Sequence, residues 1–145
     1  MDIKVRTLAA GDYPDILALW KSAGLTSLRE KGRDGKESVT VQMERDPDLF
    51  IGAFIDGKLV GVCVGSDDGR KGWINRLTVH PDFRRRGIAK QLLAETERAL
   101  KKRGRKIICA DIEEWNVDSL ALFQKEKYVL HKDILYLSKR ESEDV

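Results

Sequence analysis

The sequence predicts an α+β fold of α/β/α layering, in which a mixed central β-sheet is flanked by helices on both faces. Three observations carry that expectation. Segments with period-two and helical apolar patterns follow one another as strand, two helices, three strands, helix, strand, helix and closing strands. Asp56-Gly57 between two apolar runs is a two-residue hairpin signal. The stretch Val79-His80-Pro81-Asp82-Phe83-Arg84-Arg85-Arg86-Gly87-Ile88-Ala89 joins a strand end, a basic turn and an amphipathic helix without interruption. At 145 residues and 41% hydrophobic content, the chain fits a single domain over residues 1–145 with one sizeable core.

Taken in order, residues 3–8 alternate apolar and polar positions and predict a first strand, which Gly11 and Asp12 stop. Asp12 is placed to cap a helix with Pro14 in its first turn, and Tyr13, Ile16, Leu17 and Trp20 share one face of that helix. Gly24 ends it. The polar run 29–37 predicts a mobile loop, and 38–45 a second, weaker helix before Pro47. Residues 49–55 and 58–65 are strands joined by the hairpin, 66–69 form the next turn, and 72–79 give a strand that feeds the basic segment. The following helix carries Ile88, Leu92, Leu93, Ala99 and Leu100 on one side and ends in cations and Gly104. Residues 106–112 predict a strand, 116–127 a helix, and 128–139 one or two final strands. There is no internal repeat or low-complexity segment.

Composition excludes several classes. Lys and Arg number 27 against 24 Asp and Glu, a net charge of +3 that does not imply a nucleic-acid protein. The two basic clusters, 84–86 and 101–106, lack the interleaved aromatics of a stacking surface, so no nucleic-acid partner is expected. No apolar run approaches the roughly 18 residues that span a bilayer, and the start Met-Asp-Ile-Lys-Val lacks a signal peptide's apolar segment. A cytoplasmic protein with no membrane partner is therefore expected. Cys63 and Cys109 sit in apolar runs and read as reduced, buried thiols. His80 and His131 have no third ligand at metal-like spacing, so no metal is expected.

The basic turn is an anion-binding design. A helix begun on a short Arg/Gly turn leaves its first N–H groups unpaired and carries roughly half a positive charge at its start. Three guanidinium groups there oppose the helix dipole unless an anion sits among them. Gly87 permits close approach, and Ala89 keeps the first turn narrow. Lys101 to Lys106 lie at the opposite helix end, where cations suit the dipole.

Arg84, two residues, Gly87, one residue and Ala89 match the acyl-coenzyme A signature of the GNAT superfamily of N-acetyltransferases, and the resemblance covers nearly the whole chain. Trp73-Ile74-Asn75-Arg76-Leu77-Thr78-Val79 resembles that family's fourth strand, whose backbone pairs with the pantetheine arm. Asn116, Ser119, Leu122 and Phe123 resemble its Asn-led helix motif. Within the superfamily, Trp20, Gly24-Leu25 and the stretches 46–50 and 68–74 are similar to a small, poorly characterised bacterial and archaeal branch. The resemblance implies acetyl-CoA as cofactor, held by Leu77, Thr78, Val79, Arg84, Arg85, Arg86, Gly87, Ile88, Ala89, Asn116, Ser119 and Phe123. It implies transfer of an acetyl group to a primary amine of a small molecule, peptide or protein N-terminus, with a homodimer as a possible assembly. Three departures stand out: Phe123 replaces the Tyr that commonly protonates the leaving thiolate, Lys127 and Tyr128 replace a Gly and a Phe, and Asn75 stands where many members place Glu.

An amine of unperturbed pKa about 10.4 is protonated at neutral pH, so a base or a water chain must take its proton. Asp111 is the first candidate, with Glu113 two residues on and on the same face; the same acids also suit simple attraction of a cationic substrate. With Phe123 in the acid position, the thiolate's proton comes from water, from Tyr128 or Tyr136, or is not needed. Asn116 suits a helix cap, a cofactor hydrogen bond, or both. A non-catalytic acyl-CoA-binding or regulatory module is the alternative that Phe123 and Asn75 keep open. Cys109 has no adjacent His or Lys to activate it as a nucleophile, which favours direct transfer.

Overall fold

The computed structural model describes residues 2–145. Its centre is a five-stranded sheet in sequential order: β1 (Lys4–Thr7), β2 (Phe50–Ile55), β3 (Lys58–Asp67), β4 (Gly72–Val79) and β5 (Ile108–Ala110). The first four strands pair antiparallel and β5 pairs parallel to β4, so the sheet is mixed. Asp56 and Gly57 both take positive φ, which fits the hairpin that this dipeptide encodes.

Side-chain alternation along the strands divides the interior into two cores. In β2, Phe50 and Phe54 face α1 (Tyr13–Ser22) and α2 (Lys36–Arg45), where they join Ile16, Trp20, Val39 and Met43. Ile51, Ala53 and Ile55 face the other way, against Ile88, Leu92, Leu93 and Leu100 of α3 (Ile88–Lys102) and Phe123 of α4 (Val117–Lys125). The helix α3 lies close on the sheet because Gly61 and Gly65 face it; a Cβ on either would come within 2.8–2.9 Å of Leu92 or Thr96.

Three expectations change. The polar run 29–37 is a tied turn rather than a free loop: Arg29 N–H donates to Asp34 Oδ2 at 2.8 Å, Asp34 N–H donates to Arg29 O at 3.0 Å, and α2 already begins at Lys36. The strand expected over 106–112 shrinks to three residues, because β4 offers it a ladder only at Gly72–Ile74. The closing strands expected over 128–139 do not form. That segment pairs with no ladder, and its apolar side chains Val129, Leu130, Ile134, Leu135, Tyr136 and Leu137 stay exposed. A short β5 presents too little edge to template them.

Candidate active site

The site begins with one extra residue. Pairing of β3 with β4 passes from Gly65↔Ile74 to Val64↔Arg76, leaving Asn75 as a bulge on β4. A bulge bends its strand and strengthens the local twist. Past it, β4 and β5 part: the ladder covers Gly72–Ile74 against Ile108–Ala110 and ends before Asn75 and Asp111. A cavity of about 120 Å³ opens there, lined by β4 from Ile74 to Thr78, by 110–113 with Trp115, by Asn116, Ser119 and Phe123, and by the 25–27 loop after α1.

The free edge of β4 follows from backbone alternation. His80 N–H donates to Val60 O of β3 at 2.8 Å, so residues an odd number of steps back, Leu77 and Val79, turn their N–H and C=O groups to the opposite side. Val79 O already accepts Arg84 Nε at 3.3 Å. Thr78 is 4% exposed, and its Oγ1 is a buried polar atom with no partner on a side chain that lines the cavity.

Beyond Val79 a short turn at Pro81–Phe83 leads into Arg84, Arg85 and Arg86, all exposed. Arg85 (φ 64°) and Gly87 (φ 79°) are both left-handed, and alternation of this kind curls successive N–H groups into a concave nest. Gly87 is the N-cap of α3 without a side-chain cap, and the first intrahelical bond to it comes from Gln91, so the N–H groups of Ile88 and Ala89 precede the helical ladder. Arg86 lies over the Phe83 ring, 5.2 Å from its centroid.

Asp111 and Glu113 both line the cavity and are exposed, and Trp115 Nε1 donates to Glu113 Oε2. Asn116 Oδ1 accepts Ser119 N–H at 3.2 Å, a helix cap at the cavity wall. Phe123 is 5% exposed and meets Tyr128 edge-on at 4.8 Å. The fold turns both candidate tyrosines away: the Tyr128 hydroxyl donates to Glu97 Oε2 of α3 at 2.7 Å, Tyr136 is exposed, and neither is among the cavity's lining residues; of the two, Tyr128 is the better buried. Burial first, and the Glu97 carboxylate second, push its pKa up, so it holds its proton firmly. Of the thiols, Cys63 is pushed up to about 12 by burial, and Cys109 is also raised by burial. Among the described residues no cluster of His, Cys, Asp and Glu suits a metal.

Sequence reasoning passed over Arg76. It lines the cavity, and its Nη1 donates to Asp34 Oδ1 at 2.7 Å in a pair whose side chains are 13% and 9% exposed. Its Nη2 donates to Ser27 Oγ at 3.2 Å, and the guanidinium stands 4.9 Å from the Trp20 ring centroid. The available signal was a cation inside a strand and an Asp followed by Gly in the polar run. Trp115, directly after two acids, was equally visible and equally unused.

Residues 13–127 match the family described as the acetyltransferase (GNAT) family. An acetyltransferase of Sodalis glossinidius is 31% identical over 142 residues, covering 98% of each chain. One of Photorhabdus laumondii is 32% identical over 139 residues, covering 95% of each. Among solved structures, the PaiA N-acetyltransferase of Thermoplasma acidophilum in complex with coenzyme A superposes with a TM-score of 0.81 at 22% identity, covering 90% of this chain and 92% of that one. AAC(6')-Iy in complex with a bisubstrate analogue gives 0.79 at 20% identity, covering 97% and 99%. The split five-stranded sheet shares its fold with these structures, and on the sequence match the chain belongs to the GNAT family of acetyltransferases, which draw their acetyl group from acetyl-CoA.

Proposed function

We propose that this protein acetylates a primary amine by direct transfer in the cleft between β4 and β5. The observation that carries this reading is that two carboxylates, Asp111 and Glu113, line the same cavity as the free edge of β4.

The residues suit coenzyme A. The left-handed turns at Arg85 and Gly87 curl N–H groups toward one point ahead of α3, which suits a diphosphate, and the three exposed arginines add positive charge. Leu77 and Val79 offer edge N–H and C=O groups to the amides of the pantetheine arm, and Thr78 stands between them. Acetyl-CoA supplies the activated acetyl group as a thioester. Asp111 takes the proton of the incoming ammonium and passes it to solvent, leaving a neutral nitrogen nucleophile. Glu113, oriented by Trp115, adds negative charge that draws a cationic acceptor. Phe123 has no proton to give, Tyr128 is committed to Glu97 and Tyr136 lies outside the cavity, so water returns the proton to the departing sulfur; a thiol of pKa about 8.5 leaves without an acid catalyst.

One observation favours a second reading. No tyrosine hydroxyl lines the cavity, which suits a non-catalytic acyl-CoA-binding module. The test is calorimetry with coenzyme A and acetyl-CoA, followed by thiol release with spermidine, kanamycin A and an alanine-headed peptide. Heat of binding and amine-dependent thiol release are expected, with Asp111→Asn lowering kcat by about 10²–10⁴ while cofactor affinity is kept. No heat overturns the cofactor site. Binding without turnover across the panel selects the second reading.

A further inference from the structure

We propose that Arg76 is a positioning residue for the acceptor amine: through Ser27 and Asp34 it holds the loop after α1, whose residues 25–27 form one wall of the cavity. The proposal rests on the acetyltransferase reading above and adds to it how the acceptor side is built. Arg76 directly follows the Asn75 bulge, so its position on β4 is set by the same irregularity that opens the cleft. Its guanidinium is shared between Ser27 Oγ at 3.2 Å, in the stretch that lines the cavity, and Asp34 Oδ1 at 2.7 Å, in the turn that follows it. Asp34 is then tied from three further sides: its Oδ2 accepts Arg29 N–H, its N–H donates to Arg29 O, and its C=O accepts the Tyr13 hydroxyl at 2.8 Å. A planar fork meets such a spread of acceptors in a way a single ammonium cannot. Pairing also neutralises the only cation among the cavity-lining residues and leaves the field of Asp111 and Glu113 uncompensated.

The two roles, wall and field, predict opposite results for one pair of variants. Arg76→Gln removes a positive charge from the cavity, and Asp34→Asn removes the negative charge that offsets it. If only the field mattered, KM for a cationic amine would fall in the first and rise in the second. Positioning predicts that KM rises tenfold or more in both, that kcat changes less, and that acetyl-CoA affinity stays within about twofold by calorimetry. Arg76→Lys, which keeps the charge and loses the fork, should recover part of the loss. Ser27→Ala removes one hydroxyl without burying a charge and so folds even if the others do not; a KM rise of about two- to fivefold is expected. Trypsin should cut the variants at Arg29, Lys31, Arg33 or Lys36 at least tenfold faster than the parent. With spermidine as probe amine, opposite KM shifts, an unchanged KM, or unchanged cutting overturn the proposal while the acetyltransferase reading stands. A parent protein that binds acetyl-CoA and turns over none of the probe amines overturns both.

Discussion

Phe123 shows how much chemistry one missing oxygen withholds. It lines the cavity and packs edge-on against Tyr128, so a hydroxyl added to its ring is the smallest change that puts an acid back at this wall. General acids commonly contribute about 10²–10⁴ in rate, but a thiolate is already a competent leaving group, so most of that range is not there to be recovered. Phe123→Tyr should therefore raise kcat for thiol release by about two- to tenfold and leave acetyl-CoA affinity unchanged. A variant no faster than the parent would mean that the acid is elsewhere or is not needed. The two cysteines do not offer another route: burial raises both pKa values, which keeps them as thiols at neutral pH, and transfer through a covalent acyl-cysteine is correspondingly disfavoured.

At the scale of the element, the Asn75 bulge is the feature on which the cleft depends. Pairing on both sides of it is regular, with Ile74 packed toward α3 and Arg76 toward Trp20, so removing Asn75 would restore unbroken alternation without turning any core residue outward. Deletion of Asn75 is expected to give a folded protein whose β4 stays beside β5 for longer and whose acetyl-CoA binding, measured by calorimetry, falls at least tenfold. Undiminished binding would mean that the bulge does not hold the cleft open. The bulge did leave a trace in the chain, because Asn75 and Arg76 put two polar residues between Ile74 and Leu77 and break the period of two, but one such break does not say which residue is the extra one. The β2–β3 hairpin and the start of α3 were legible, since Asp56-Gly57 and Gly87 have the left-handed backbone that those residue types announce. The final strands were misread for a different reason. Alternation in 128–139 reports what a strand would bury, and whether an edge long enough to receive it exists is decided by β5, almost twenty residues earlier.

For the whole molecule, the acidic limit of stability is set by carboxylates held below their ordinary values. The hydrogen bond from Arg6 lowers Asp12, that from Arg103 lowers Asp48, and the backbone N–H groups of Lys71 and Arg70 take Asp68 down to about 2. Each group binds its proton more readily in the unfolded chain, where its pKa is about 3.9, so its contribution is complete above that pH and drains away as the pH falls toward the folded value. Thermal melts should be level from pH 7 to about 5 and decline between about 4 and 2, with Asp68→Ala showing a shallower decline; a parent curve flat down to pH 2.5 would contradict this. The candidate site was legible in the same uneven way as the fold. Groups that lie close together in sequence, such as the Arg/Gly turn and the pair Asp111 and Glu113, were visible, whereas Asp34 and Arg76 meet across 42 residues and carry no mutual signal. That separation has an evolutionary meaning. Everything assigned to gripping the cofactor comes from residue 77 onward, while the wall proposed for the acceptor side belongs to the short segment between α1 and α2 that is fastened to the sheet at Arg76. If the proposal holds, a lineage that keeps this fastening can rewrite the rest of the segment, and with it the choice of acceptor, as an exchangeable cassette.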